Sequence, residues 1–185
     1  DMQVLKDRAL SRQAKLMIDA TGSINLEDEH ELADVCMFSS CKGLGGLTGA
    51  SFISFNKELL SNLNPCRKDF ILDLQTYIEK KTTGPAHTLC SLYGLSDRFV
   101  EMRQRVRKSK ERFMEVFAGN LISENNQPAL CTRVRGKFIF PDWVVPYEPR
   151  NLAAGYQVVC HLFDQFPSNR NPGEVYDFFE LSETR

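Results

Sequence analysis

The chain has 185 residues, 42% of them hydrophobic and 25% charged, with a formal net charge of -1. These are ordinary values for a soluble globular protein, and they give no bulk electrostatic reason to expect a nucleic-acid or acidic-membrane partner. No apolar run reaches the ~20 residues needed to span a bilayer, and Asp1-Met2-Gln3-Val4-Leu5-Lys6 lacks the apolar core of a signal peptide.

In chain order, the first predicted element is a helix over residues 3–14, with Leu5, Ala9 and Leu10 on one side. Leu16–Asp19 reads as a short buried strand, closed by turn chemistry in Thr21-Gly22-Ser23. Val35–Phe38 is the next strand. The connection between the two is about 15 residues, which fits the dozen or more needed for a parallel crossover. Ala50–Phe55 follows after a short loop and is predicted to return antiparallel. The result is a mixed sheet flanked by helices, an α/β arrangement. Further on, Lys80 to Thr88 forms a loop opening a helix, with Pro85 near its first turn. A long helix is predicted from Ser96 to about Phe117, with Phe99, Met102, Val106, Phe113 and Phe117 on its buried face. Leu121–Ala129 reads as a polar loop. Cys131–Val134 and Lys137–Phe140 read as strands around Gly136, Tyr156–Leu162 as another strand, and Val175–Leu181 as a closing helix. The break near Ser96 divides the prediction into a larger sheet domain, 1–96, and a smaller α+β C-terminal domain, 97–185.

The six cysteines are Cys36, Cys41, Cys66, Cys90, Cys131 and Cys160. They are scattered, with no CxxC pair, and read as buried thiols of a cytoplasmic protein. None of His30, His87 and His161 has a metal-type spacing to a cysteine, so no metal site is expected. The basic run Arg103, Arg105, Arg107, Lys108, Lys110 and Arg112 is interleaved with Glu101, Glu111 and Glu115, and reads as a solvated helix face. Gly43-Leu44-Gly45-Gly46-Leu47-Thr48-Gly49 fits neither the GxGxxG dinucleotide spacing nor a P-loop.

Chemistry concentrates at two strand ends. Asp19 closes the first strand, and Lys42 sits on the Gly-rich turn after the second, in Ser39-Ser40-Cys41-Lys42-Gly43. In open α/β sheets, ligands bind beyond the carboxyl ends of the strands, so one pocket could contain both residues. A lysine presented in this way suits covalent attachment to an aldehyde, and a nearby carboxylate suits a protonated pyridine nitrogen. Hydroxyls at Ser39, Ser40 and Thr83 are of the type that holds a phosphate. Spacing alone leaves the plain alternatives open: a surface lysine, and an aspartate serving its own turn. Cys41 reads as a packing residue with no sign of a depressed pKa.

Three blocks resemble a known family. They are Ile18-Asp19-Ala20-Thr21-Gly22-Ser23, the segment from Ser39 to Phe55 around Lys42, and Leu72-Asp73-Leu74 followed by Thr82-Thr83-Gly84-Pro85-Ala86-His87-Thr88. In order and spacing they resemble the class V branch of the fold-type I pyridoxal-phosphate aminotransferases, most closely its 2-aminoethylphosphonate–pyruvate members. The resemblance covers residues 15–95; the C-terminal third matches in outline. It implies pyridoxal 5'-phosphate as cofactor, with Lys42 catalytic, and Asp19, Ser40, Lys42 and Thr83 binding the cofactor. It also implies amine and 2-oxo acid substrates, and a homodimer in which Thr83 reaches the phosphate of the partner subunit. Arg170, just before Gly173-Glu174-Val175-Tyr176, stands two positions from the place of the family's substrate-carboxylate arginine. The family's N-terminal half, with its phosphate cup and ring-stacking aromatic, has no counterpart in residues 1–15. Three other readings share these features in part: an alanine–glyoxylate or serine–pyruvate transaminase, a cysteine desulfurase, and a truncated non-catalytic interaction module. The desulfurase branch places histidine before the lysine, where this chain has Cys41.

Overall fold

In the computed structural model, Asp1 caps the first helix: its Oδ1 accepts a hydrogen bond from Val4 N–H at 3.2 Å. The described residues are 1–61, 74–80, 84–123, 127–140, 155–162, 171 and 174–182. They fall into two compact units, Asp1–Asp97 and Arg98–Arg185. Among them, no helix is long and apolar enough to cross a membrane.

In the first unit, α1 spans Met2–Ser11 and ends where Gln13 turns into the left-handed region at φ 52°. Leu5 and Leu10, its predicted apolar side, are exposed. The helix is held instead by an ion pair: Lys6 Nζ donates to Asp34 Oδ2 at 2.8 Å, and the Leu16 N–H donates to the same oxygen at 2.8 Å. These two donors hold the Asp34 carboxyl below its usual range. Three strands form the sheet: β1 (Met17–Asp19), β2 (Val35–Ser39) and β3 (Ser51–Phe55), in the order β1-β2-β3. β1 runs parallel to β2 with Met17 opposite Val35, and β3 returns antiparallel with Phe55 opposite Val35. The parallel crossover carries no α-helix. It consists of turns and one 3-10 turn, His30–Leu32. Lys57–Leu60 forms α2, Leu74–Lys80 forms α3 and Ala86–Tyr93 forms α4, which begins directly after Pro85.

The second unit opens on a 3-10 turn, Ser96–Arg98, whose last residue lies in this unit, and continues as α5, Phe99–Val116. Val106, Ser109 and Phe113 are its buried residues, while Phe99 and Met102 are only half-buried. β4 (Cys131–Arg135) shows the period-two pattern of a half-buried strand: Thr132 and Val134 face in, Arg133 and Arg135 face out. Gly136, at φ 111°, redirects the chain into β5 (Lys137–Ile139). β6 (Tyr156–Cys160) pairs antiparallel with β4. The predicted helix over Val175–Leu181 is not formed. Glu174–Phe178 makes a 3-10 turn, and Glu180–Ser182 becomes β7, antiparallel to β5. The segment is too short for a stable isolated helix, and β5 offers it ladder hydrogen bonds instead.

The core of this unit is aromatic. Phe113, fully buried, meets Phe117, Phe138 and Tyr176 at ring separations of 4.8, 5.9 and 4.9 Å. A polar chain runs beside it: Thr132 Oγ1 lies 2.8 Å from His161 Nε2, His161 Nδ1 lies 2.7 Å from Tyr176 Oη, and Tyr176 Oη lies 3.2 Å from Ser109 Oγ. Every member is buried. From the basic run, Lys110 donates to the Gln127 and Pro128 carbonyls, and Arg112 pairs with Asp177 at 2.5 Å.

Candidate active site

Asp19 ends β1, and the chain then coils through consecutive turns. Ser23 and Ile24 N–H donate to Ala20 O, and Leu26 and Glu27 N–H donate to Ser23 O. Ala20 and Leu26 anchor these turns, each buried to 1% exposure. Asp19 itself is exposed, and its Oδ1 accepts from Thr21 N–H at 2.9 Å. The Thr21 hydroxyl and N–H hold this carboxyl below the usual carboxylate range. The plain turn role is therefore met, and the group stays charged at a strand end.

β2 leads into a loop closed on Ser40. The Ser40 N–H donates to Ala50 O at 3.0 Å, its hydroxyl donates to Leu47 O at 2.6 Å, and its carbonyl accepts from Gly46 N–H at 2.9 Å. Ala50 N–H also points to the hydroxyl, at 3.4 Å. Ser40 is wholly buried, so this hydroxyl sets the loop's shape and is already committed within it. Lys42 stands at the loop's outer turn, where its carbonyl accepts from Gly45 N–H at 2.8 Å and Gly45 takes φ 68°. Its side chain is exposed. Beside it, the Cys41 thiol is pushed down, first by hydrogen bonding to Ser39, whose Oγ lies 3.8 Å away. This corrects the expectation of an unperturbed thiol, because hydroxyl contacts across a turn are invisible in linear spacing.

Two contacts join the Lys42 loop to the turns after Asp19. Asn25 Nδ2 donates to Gly43 O at 3.0 Å. A Cβ on Gly43 would lie 1.9 Å from Ile24 O, so the backbones approach as closely as only glycine permits. The other side of the loop rests on α4. Leu47 N–H donates to Ser91 Oγ at 2.9 Å, and a Cβ on Gly46 would lie 2.4 Å from Leu92 Cδ2. Thr88, also buried, places its Oγ1 3.5 Å from Thr48 O. Asn25 and Ser91 carry these contacts, and nothing in their local sequence distinguishes them from ordinary polar turn and helix residues. Thr83 and Arg170 lie outside the described residues. Among the described residues, no His/Cys/Asp/Glu group is arranged to hold a metal ion.

No family model matches the chain, and no curated protein matches its sequence. Solved structures do match. The alanine–glyoxylate aminotransferase from Nostoc sp. is similar with a TM-score of 0.58 at 19% identity, over 76% of this chain. The ureidoglycine–glyoxylate aminotransferase from Bacillus subtilis is similar with a TM-score of 0.58 at 14% identity, over 78% of this chain. The chain carries part of the aminotransferase fold. It spans 42% of the length of each of these structures.

Proposed function

We propose that this chain is part of a pyridoxal 5'-phosphate-dependent aminotransferase, with Lys42 as its catalytic lysine. The observation that carries this reading is the Asn25–Gly43 hydrogen bond with the Ile24–Gly43 approach, which ties the lysine loop to the turns following Asp19. The donor set fits the cofactor. An exposed lysine stands on a braced loop, and a carboxylate held in its charged form stands at the end of the neighbouring parallel strand. Bound there, pyridoxal phosphate would supply the electron sink that transamination needs. Lys42 Nζ would hold the cofactor by its aldehyde carbon and, once the substrate amine had displaced it there, the freed amine would take and return the proton that moves from the substrate α-carbon. Asp19 would keep the pyridine nitrogen protonated, a role its lowered pKa favours. Ser40 keeps the loop in shape from within. Thr83 would bind the phosphate across a homodimer interface, and the Arg170 guanidinium would take a substrate carboxylate.

The sequence blocks favour transfer of the amino group from 2-aminoethylphosphonate to pyruvate, giving phosphonoacetaldehyde and alanine. A second reading, an alanine–glyoxylate type of reaction, is favoured by the similarity to the Nostoc sp. alanine–glyoxylate aminotransferase, and its acceptor is shared by the ureidoglycine–glyoxylate enzyme. A donor–acceptor assay on the natural full-length protein, supplied with pyridoxal phosphate, separates them. The first reading expects alanine from 2-aminoethylphosphonate and pyruvate. Glycine formed from alanine and glyoxylate, with no turnover of the phosphonate, would favour the second. No amino transfer with any donor would reject both.

A further inference from the structure

Cys131 and Cys160 stand directly opposite each other in the antiparallel pair of β4 and β6. The next rung carries the hydrogen bond, with His161 N–H donating to Leu130 O at 2.8 Å. Bonded and non-bonded rungs alternate along an antiparallel ladder, so the cysteines occupy a non-hydrogen-bonded rung. On such a rung the Cα atoms are about 4.5 Å apart and the two side chains share a face. Disulfides span Cα separations of about 4.4–6.8 Å. Both residues are thiols in this structure, Cys160 exposed and Cys131 half-buried, on the face of β4 opposite buried Thr132. The expectation that the cysteines are buried therefore holds for Cys36 and fails here. Cross-strand pairing of residues 29 apart has no linear signature.

We propose that Cys131 and Cys160 form a reversible disulfide by exchange with a low-molecular-weight disulfide. The more exposed Cys160 thiolate attacks one sulfur of the small disulfide and expels one small thiolate. The Cys131 sulfur, losing its proton, then attacks Cys160 Sγ and expels the second. Two protein thiols are oxidised to one disulfide, and one small disulfide is reduced to two thiols, so electrons and protons balance. The bond joins strands already paired by hydrogen bonds, so the fold need not rearrange to admit it. The exposure of Cys160 leaves the bridge open to small thiols, which makes it easy to reduce. It is a modification site in the second unit and does not depend on the aminotransferase reading.

The test is treatment of the folded chain with oxidised glutathione, alkylation of the remaining thiols, and trypsin digestion without reductant. The expected product is a disulfide-linked pair of peptides, 113–133 and 151–170, which separates on adding dithiothreitol. In Cys131→Ser, the linked pair should vanish and Cys160 should retain a glutathione adduct. Separate glutathione adducts on both cysteines of the unmutated chain, or both thiols fully alkylated after treatment, would overturn the proposal. A linked pair that appears only when urea is present would overturn it as well.

Discussion

Gly43→Ala is expected to separate the lysine loop from the turns after Asp19. The added Cβ would lie 1.9 Å from Ile24 O and 3.1 Å from Ile24 C, and these are backbone atoms that cannot swing aside as a side chain would. Either the loops part or the turn at Ile24 is remodelled. A strained insertion of this kind costs about 3 kcal/mol, at the upper end of overpacking. The outward shift moves Lys42, one residue earlier, relative to Asp19, so pyridoxal phosphate affinity should fall at least tenfold. Asn25→Ala removes one hydrogen bond to Gly43 O and should cost only about 1 kcal/mol. Urea unfolding followed by circular dichroism and a pyridoxal phosphate titration read the two effects. A Gly43→Ala chain with unchanged stability and affinity would show that this contact does not position the lysine.

Acidification from pH 7 to pH 5 is expected to destabilise the chain by about 2 kcal/mol through His161 alone. Burial pushes the His161 pKa from its ordinary 6.5 down to about 3, and the positive charge of Lys110 adds to the effect. The sign follows from where the proton binds. In this window the unfolded imidazole takes up a proton that the folded one refuses, so stability is full above about pH 6.5. It is then lost by up to about 1.4 kcal/mol per pH unit as pH falls towards the folded pKa. The geometry suits a neutral ring: with one nitrogen donating and the other accepting, the chain Thr132–His161–Tyr176–Ser109 can be satisfied head to tail. The check is urea unfolding at pH 7, 6 and 5, with His161→Gln as the comparison. The unmutated chain should lose stability across this range and His161→Gln should lose markedly less. Equal slopes would contradict the assignment. An NMR titration in which the His161 ring protonates near pH 6 would also contradict it.

The sheet of the first unit was legible because its strands are short apolar runs bounded by turn residues. Strand direction followed from connection length: about fifteen residues before β2 allow a parallel crossover, and a tight loop before β3 does not. The buried face of α5 was legible at Val106, Phe113 and Phe117 through helical spacing, although Ser109 was missed because a buried hydroxyl has no apolar signature. The end of the chain departs from the expected helix for a physical reason. Val175–Leu181 has helical periodicity, but its structure is decided by β5, some 40 residues upstream. In the site, Asp19 and Lys42 stood out by residue type at strand ends. Asn25 and Ser91 did not, because their value lies in contacts with distant loops. The loop-shaping role of Ser40 was equally hidden, since a hydroxyl's partner cannot be read from its neighbours in sequence.

The role proposed for Lys42 is a covalent bond to pyridoxal phosphate. It is tested most directly by mixing the protein with the cofactor, reducing the adduct with borohydride, and mapping the label by mass spectrometry. Modification of Lys42 blocks trypsin there, so the label should appear on a single peptide spanning residues 16–57, which also contains Asp19. The visible absorbance of the bound cofactor should be lost in Lys42→Ala. A label carried mainly by another lysine, or absorbance that survives Lys42→Ala, would rule out this role for Lys42.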